Sequence, residues 1–190
     1  MTNPSTNILK DAIVKRFAAY RELGEKALRQ LDDRQIHWKR SGNDNSICTL
    51  VMHLHGNMLS RFTDFQTSDG EKSWRQREEE FNEQDADRER LLLLWNEGWD
   101  CVAKALKPLV DADMGRTVTI RGEPHSIADA LLRQVAHYAY HVGQIVFIAK
   151  TIKGDGWESL SIPKNGSQQY NQAMWQKQNQ KQKHDPDHEN

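Results

Sequence analysis

Apolar residues recur at three- and four-residue steps in four separate stretches of the chain, the signature of helices that each bury one face. The first runs from about Pro4 to Leu31, with Leu9, Ile13, Phe17, Tyr20, Ala27 and Leu31 on one side. Pro4 suits the opening turn of a helix, where its missing N–H is not needed. The second starts at Asn45 or Ser46, both good N-caps, and carries Ile47, Leu50, Val51, Leu54, Met58 and Phe62. The third spans about Asp87 to Leu109 and turns Leu91, Leu92, Trp95, Trp99, Val102 and Leu106 inward. The fourth opens at Ser126, with Asp129 in the place of the usual capping-box glutamate, and stops at Lys153-Gly154. Its buried face reads Ile127, Leu131, Tyr138, Val142, Ile145 and Ala149.

The intervening stretches differ in character. Residues 66–85 are polar, carry no stripe and are longer than a simple turn requires. Their "REEEF" segment, 77–81, reads as a solvated run of charge. "GRTVTIRGEPHS", 115–126, alternates like a short hairpin or extended arm. From Gln176 onward the Gln-, Lys- and Asp-rich tail offers too little apolar surface to repay ordering. The pattern predicts an all-α protein: a four-helix bundle with a hairpin or extended insert before the fourth helix and a flexible C-terminal tail. One domain is expected over residues 1–175, with the tail over 176–190.

Charge and composition narrow the function. The 190 residues include 26 Lys and Arg against 27 Asp and Glu, for a formal net charge of −1, with no basic stripe to suggest a nucleic-acid partner. The apolar runs are too short to cross a membrane. "MTNPSTNILKDAIVKRF" lacks the apolar core of a signal peptide, and Cys48 and Cys101 form no CxxC, so a reduced, cytoplasmic protein is expected. Both cysteines read as small core residues.

Eight histidines are the compositional oddity. His184 and His188 belong to the polar tail. His137 and His141 stand one turn apart on one side of the fourth helix, the spacing for two imidazoles on one metal ion. A lone histidine on a helix shoulder is ordinarily structural, so a third ligand decides the matter. The second helix offers His53 and His55, which flank its apolar stripe on opposite shoulders, and the wheel does not choose between them. Asn57 follows His53 by one turn and Arg61 by two, a placement that suits contact with an anionic substrate, although for Arg61 an exposed salt bridge is the simpler reading. Gln144 sits at the face boundary, placed to orient a ligand or substrate. Gly143 reads as a point of close helix approach, Tyr138 as core and Tyr140 as surface.

"SICTLVMH" in the second helix and "HYAYHVGQ" in the fourth resemble the DinB-like (damage-inducible) superfamily, which includes metal-dependent thiol transferases such as the bacillithiol transferases. Its helix-two serine, seven residues before a histidine, matches Ser46 and His53. Its His-x-x-x-His-x-Gly-Gln motif matches His137, His141, Gly143 and Gln144. The resemblance covers roughly residues 5–153. "GNMLSRFTDFQTSDGEKSW" and "SLSIPKNGSQQYN" place the chain nearer to an uncharacterised subgroup than to the proven transferases. The resemblance implies a homodimer and a ligand set of His53, His137 and His141, with His55 the alternative to His53.

Three neutral imidazoles leave a coordination position open, as catalytic rather than structural sites do. The implied cofactor is a divalent ion, zinc or nickel first, with iron or manganese also compatible with imidazole. The implied reaction moves a low-molecular-weight thiol onto an electrophile, the small-molecule partners expected here. A hydrolase using metal-bound water and a non-catalytic metal-binding stress protein are the competing readings.

Overall fold

The computed structural model describes the backbone of residues 7–183 and the side chains of residues 7–180. Pro4, His184 and His188 therefore lie outside the described residues. Four long helices form α1 (Ile8–Arg29), α2 (Ile47–Phe62), α3 (Arg88–Leu106) and α4 (Ile127–Lys153). Before α4 the strands β1 (Thr117–Ile120) and β2 (Glu123–Ser126) make one antiparallel hairpin, with Thr117 opposite Ser126. The all-α expectation holds, and the insert is the hairpin.

Helices α2, α3 and α4 each begin where the sequence supplies an acceptor. Ser46 Oγ accepts from Thr49 N, Asp87 from Arg90 N and Ser126 Oγ from Asp129 N. The expected capping box at Ser126 is half formed, because the Asp129 carboxylate turns to His125 Nδ1 at 2.7 Å. Helix α1 is capped from afar. Asp111 accepts from Leu9 N and Lys10 N, and Asn7 Oδ1 accepts from Asp111 N. Gly154, at φ 52°, ends α4 in a backbone conformation that suits glycine.

Helix α2 packs most closely on α3, and α1 on α4; the α1–α3 and α2–α4 contacts complete the ring. The long connection thus joins two neighbours, whereas the α1–α2 link crosses a diagonal. Between them lie Leu28, Ile47, Leu54, Trp95, Leu131 and Ile145, all buried. Phe17, Trp99 and Tyr138 meet at centroid distances of 5.4–6.1 Å at the centre. In α3 the expected Leu91, Trp95, Trp99, Val102 and Leu106 are buried, but Leu94 takes the place expected of Leu92, which is only partly buried.

The close helix approach lies at Gly24, not at Gly143. A Cβ on Gly24 would stand 2.4 Å from the Trp95 ring, which is fully enclosed and donates from Nε1 to Arg21 O. Gly143 is exposed, with open space where its Cβ would be.

The connection 66–85 is not a bare linker. It contains a short 3-10 turn, Arg77–Phe81, that packs on α2. Asp69 ties it to the hairpin: Oδ1 accepts from Glu71 N and Arg121 N, and Oδ2 from Gly122 N. Arg121 and Gly122 both have positive φ, as the two-residue hairpin loop demands. These backbone donors hold the Asp69 carboxyl well below its ordinary range.

The chain divides after Gly156 into two units. Within the second, helix α5 (Ser167–Lys183) runs through Gln176, where the composition turns polar. Its side chains are exposed from Ser167 to Gln180. Gln, Lys, Met and Ala all favour helix, so the segment forms one without an apolar face to bury. Residues 184–190 of the expected tail lie outside the described residues.

Two stability measurements check these assignments. Gly143→Ala should gain up to about 1 kcal/mol by helix propensity, whereas Gly24→Ala should lose about 1–3 kcal/mol because overpacking against Trp95 outweighs that gain. Chemical denaturation reads both. Asp69→Asn should lower the melting temperature at pH 7. A depressed carboxyl stabilises the fold above its unfolded value of about 4 and loses that contribution as pH falls. The gap between variant and wild type should therefore narrow towards pH 3.

Candidate metal centre

Helix α2 is buried on almost every side, because α3, α4 and the 66–85 connection surround it. That removes the distinction a helical wheel draws between a packed face and a solvent face. His53 ends up 5 % exposed. His55 points elsewhere, with Nε2 at 3.1 Å from Glu97 on α3.

His137 and His141 project from α4 toward His53. His137 Nε2 lies 3.1 Å from His141 Nε2 and 3.4 Å from His53 Nε2. All three residues offer ligand atoms within 4.8 Å of one another, so His53, His137 and His141 could hold a metal ion. A tetrahedral ion with bonds of about 2.0–2.1 Å sets its ligand nitrogens roughly 3.3 Å apart, which is the spacing found for the two bonded pairs.

The opposite ring nitrogens explain why the lone pairs converge. His53 Nδ1 donates to Glu80 Oε2 at 2.9 Å, and His141 Nδ1 donates to Gln144 Oε1 at 2.8 Å. With the protons so placed, Nε2 of both rings is an acceptor. His137 Nε2 can donate to only one of them, which leaves a buried lone pair that a cation would satisfy. The donor set therefore fits a divalent ion.

The electrostatics keep His137 and His141 neutral. Burial, then the neighbouring His141 and His53, then Arg75 and Arg61, push His137 down to about 3. Burial also lowers His141, against a smaller upward pull from Gln144, with His53 lowering it further. Neutral imidazoles are the form that binds metal.

Glu80 is the residue that sequence reasoning missed. It belongs to "REEEF", read as a solvated run, yet its side chain is only 10 % exposed. Burial pushes its carboxyl up, but the Arg75 and His53 hydrogen bonds and charges outweigh that and hold it ionised. Arg75 donates to it from Nε at 2.7 Å and from Nη2 at 2.9 Å. Phe81 lies on the His53 ring, at a centroid distance of 4.9 Å. Gly56 makes the approach possible, because a Cβ there would stand 2.2 Å from Glu80 Oε1. The only signal in the sequence is Phe81, a lone aromatic closing a run of acids.

The three histidines open into a cavity of about 390 Å³, which Asn57 and Arg61 also line. Asn57 Oδ1 accepts from the buried Tyr138 hydroxyl at 3.1 Å. Arg61 is buried, not exposed as its simplest reading had it; it pairs with Glu71 at 3.1 Å and donates to Gly70 O. Gln144 does not line the cavity; it fixes the His141 ring and donates to the Tyr140 hydroxyl. Cys48 and Cys101 take no part, and burial raises both thiols, Cys48 to about 11. No helix among the described residues is long and apolar enough to cross a membrane.

The model of DUF1572, described as a protein of unknown function, matches residues 3–166. The chain belongs to this family. The DUF1572 match spans all three histidines, Glu80 and the cavity walls. No curated protein and no solved structure matches the chain.

Glu80→Gln keeps the size and removes the charge behind His53, and should weaken metal binding by about 10–100-fold. Competition against a chromophoric chelator measures it, with exposed Glu79→Gln as a control that should change nothing.

Proposed function

We propose that this DUF1572 protein is a DinB-like metal-dependent transferase that moves a low-molecular-weight thiol onto an electrophile. The observation that carries the reading is the convergence of three Nε2 atoms on one wall of a cavity of small-molecule size. Among the described residues no fourth His, Cys, Asp or Glu joins the cluster. Three ligands without a fourth leave room for a substrate, as structural sites do not.

His53, His137 and His141 would hold the ion, zinc or nickel first. Once bound it would supply a charge that keeps a thiol ionised at neutral pH. The protein's own residues do the rest. Glu80 and Gln144 fix two of the ring orientations, so the lone pairs are preorganised. Phe81 covers His53 and limits water on that side. The arginines of the cavity favour an anionic reactant. The cytoplasmic location and the homodimer implied by the resemblance belong to the same reading.

Elemental analysis tests the site. The purified protein should carry about one divalent ion per chain, and so should His55→Ala, while His53→Ala and His137→Ala should retain less than a tenth. Full occupancy in His53→Ala would sink the ligand assignment. Activity is read by conjugation of a small thiol to monochlorobimane, abolished by chelation and restored by added metal. Ester cleavage without thiol would favour the hydrolase instead. Bound metal with neither activity would favour a non-catalytic protein.

A further inference from the structure

The cavity is strongly cationic beyond what an ion site needs. Arg61, Arg75, Arg77, Arg121 and Arg133 all line it, and no carboxylate does. Their partner carboxylates are three: Glu71 serves Arg61 and Arg121, Glu80 serves Arg75, and Glu78 serves Arg77. Arg133 is exposed on α4 and has no carboxylate partner within ion-pair distance among the described residues. Five guanidinium groups against three carboxylates leave an excess of positive charge on one side of a concave wall. Arg77 and Arg121 are roughly half exposed, with side-chain exposures of 45 % and 57 %, in surface ion pairs with Glu78 and Glu71.

A second observation is independent of charge. Gln134, one turn before His137, also lines the cavity and is 4 % exposed, yet its Oε1 has no hydrogen-bond partner. An unpaired buried carboxamide oxygen costs on the order of 1–3 kcal/mol. A leucine of similar size would fill the space without that cost. The unpaired oxygen calls for a donor, and the N–H of a ligand amide is a group that supplies one.

We propose that this wall is a subsite for a small carboxylate that carries an amide. Gln134 Oε1 accepts from the ligand's amide N–H, and Arg133, with Arg121 and Arg77 beside it, takes the carboxylate. Because Gln134 and His137 are successive-turn neighbours, a ligand so held would extend towards the three histidines. That last point rests on the metal-dependent reading, whereas the subsite itself does not.

Calorimetry on the zinc-loaded full-length protein tests it with three thiols. N-acetylcysteine has amide and carboxylate, N-acetylcysteamine lacks the carboxylate, and 3-mercaptopropionate lacks the amide. N-acetylcysteine should bind about tenfold tighter than N-acetylcysteamine, the size of one charge-assisted hydrogen bond. Arg133→Ala should shrink that ratio. Gln134→Leu should weaken both amide ligands, leave 3-mercaptopropionate unchanged, and leave thermal stability equal or higher, which a merely structural glutamine would not do. Metal content should stay the same in both variants. Equal affinities of N-acetylcysteine and N-acetylcysteamine for the wild type would overturn the proposal. If the wild type took up no zinc, the three-histidine reading would fail by itself. N-acetylalanine against N-ethylacetamide on the metal-free protein would then read the subsite, with preference for the carboxylate supporting it and indifference overturning it.

Discussion

A buried imidazole has two nitrogens to satisfy, and in this protein two rings spend their protons outward. His53 gives its Nδ1 proton to Glu80 and His141 gives its own to Gln144, so their remaining lone pairs face inward with His137 between them. The rest of the site follows from that. The rings must be neutral, and burial keeps His137 and His141 so. The carboxylate behind His53 must be ionised although buried, and Arg75 keeps it so. The helices must come close enough for α2 and α4 to share the cluster, and Tyr138 of α4 bridges them by donating to Asn57 of α2.

Tyr138 links the core to the cavity. Its ring belongs to the aromatic centre, and its hydroxyl donates to Asn57 on the cavity wall. It stands next to His137 in sequence, so the residue that anchors α4 in the bundle also fixes the height at which His137 enters the site. Gln134 and Arg61 extend the same surface. A bundle core usually excludes such groups; here they gather at one end of the α2–α4 contact, where hydrogen bonds and the cavity accommodate them.

The helices were legible because their apolar residues repeat at helical spacing, and their starts because Ser46, Asp87 and Ser126 are good caps. His137 and His141 were legible as a pair because one helix fixes their spacing. His53 was not separable from His55 by periodicity, since a wheel assumes one buried face and α2 has almost no exposed one. Glu80, Arg75 and the burial of Arg61 were illegible for a related reason. Their burial depends on a connection without periodicity folding back on α2, and a run of charges carries no mark of whether it will be covered. Gly143 was misplaced as a contact because a glycine in a helix looks the same whether something presses on it or not; Gly24, Gly56 and Gly98 are pressed.

The glutamate that orients His53 rides on the 66–85 connection, not on a helix of the bundle. Bringing the helices together therefore does not by itself finish the site; the connection must also settle over Gly56. Loading and settling are then thermodynamically linked. By whatever factor the seated connection raises the affinity for an ion, a bound ion raises the seated fraction by the same factor. The segment with the least regular structure in the bundle is thus the one whose order reports whether the centre is filled.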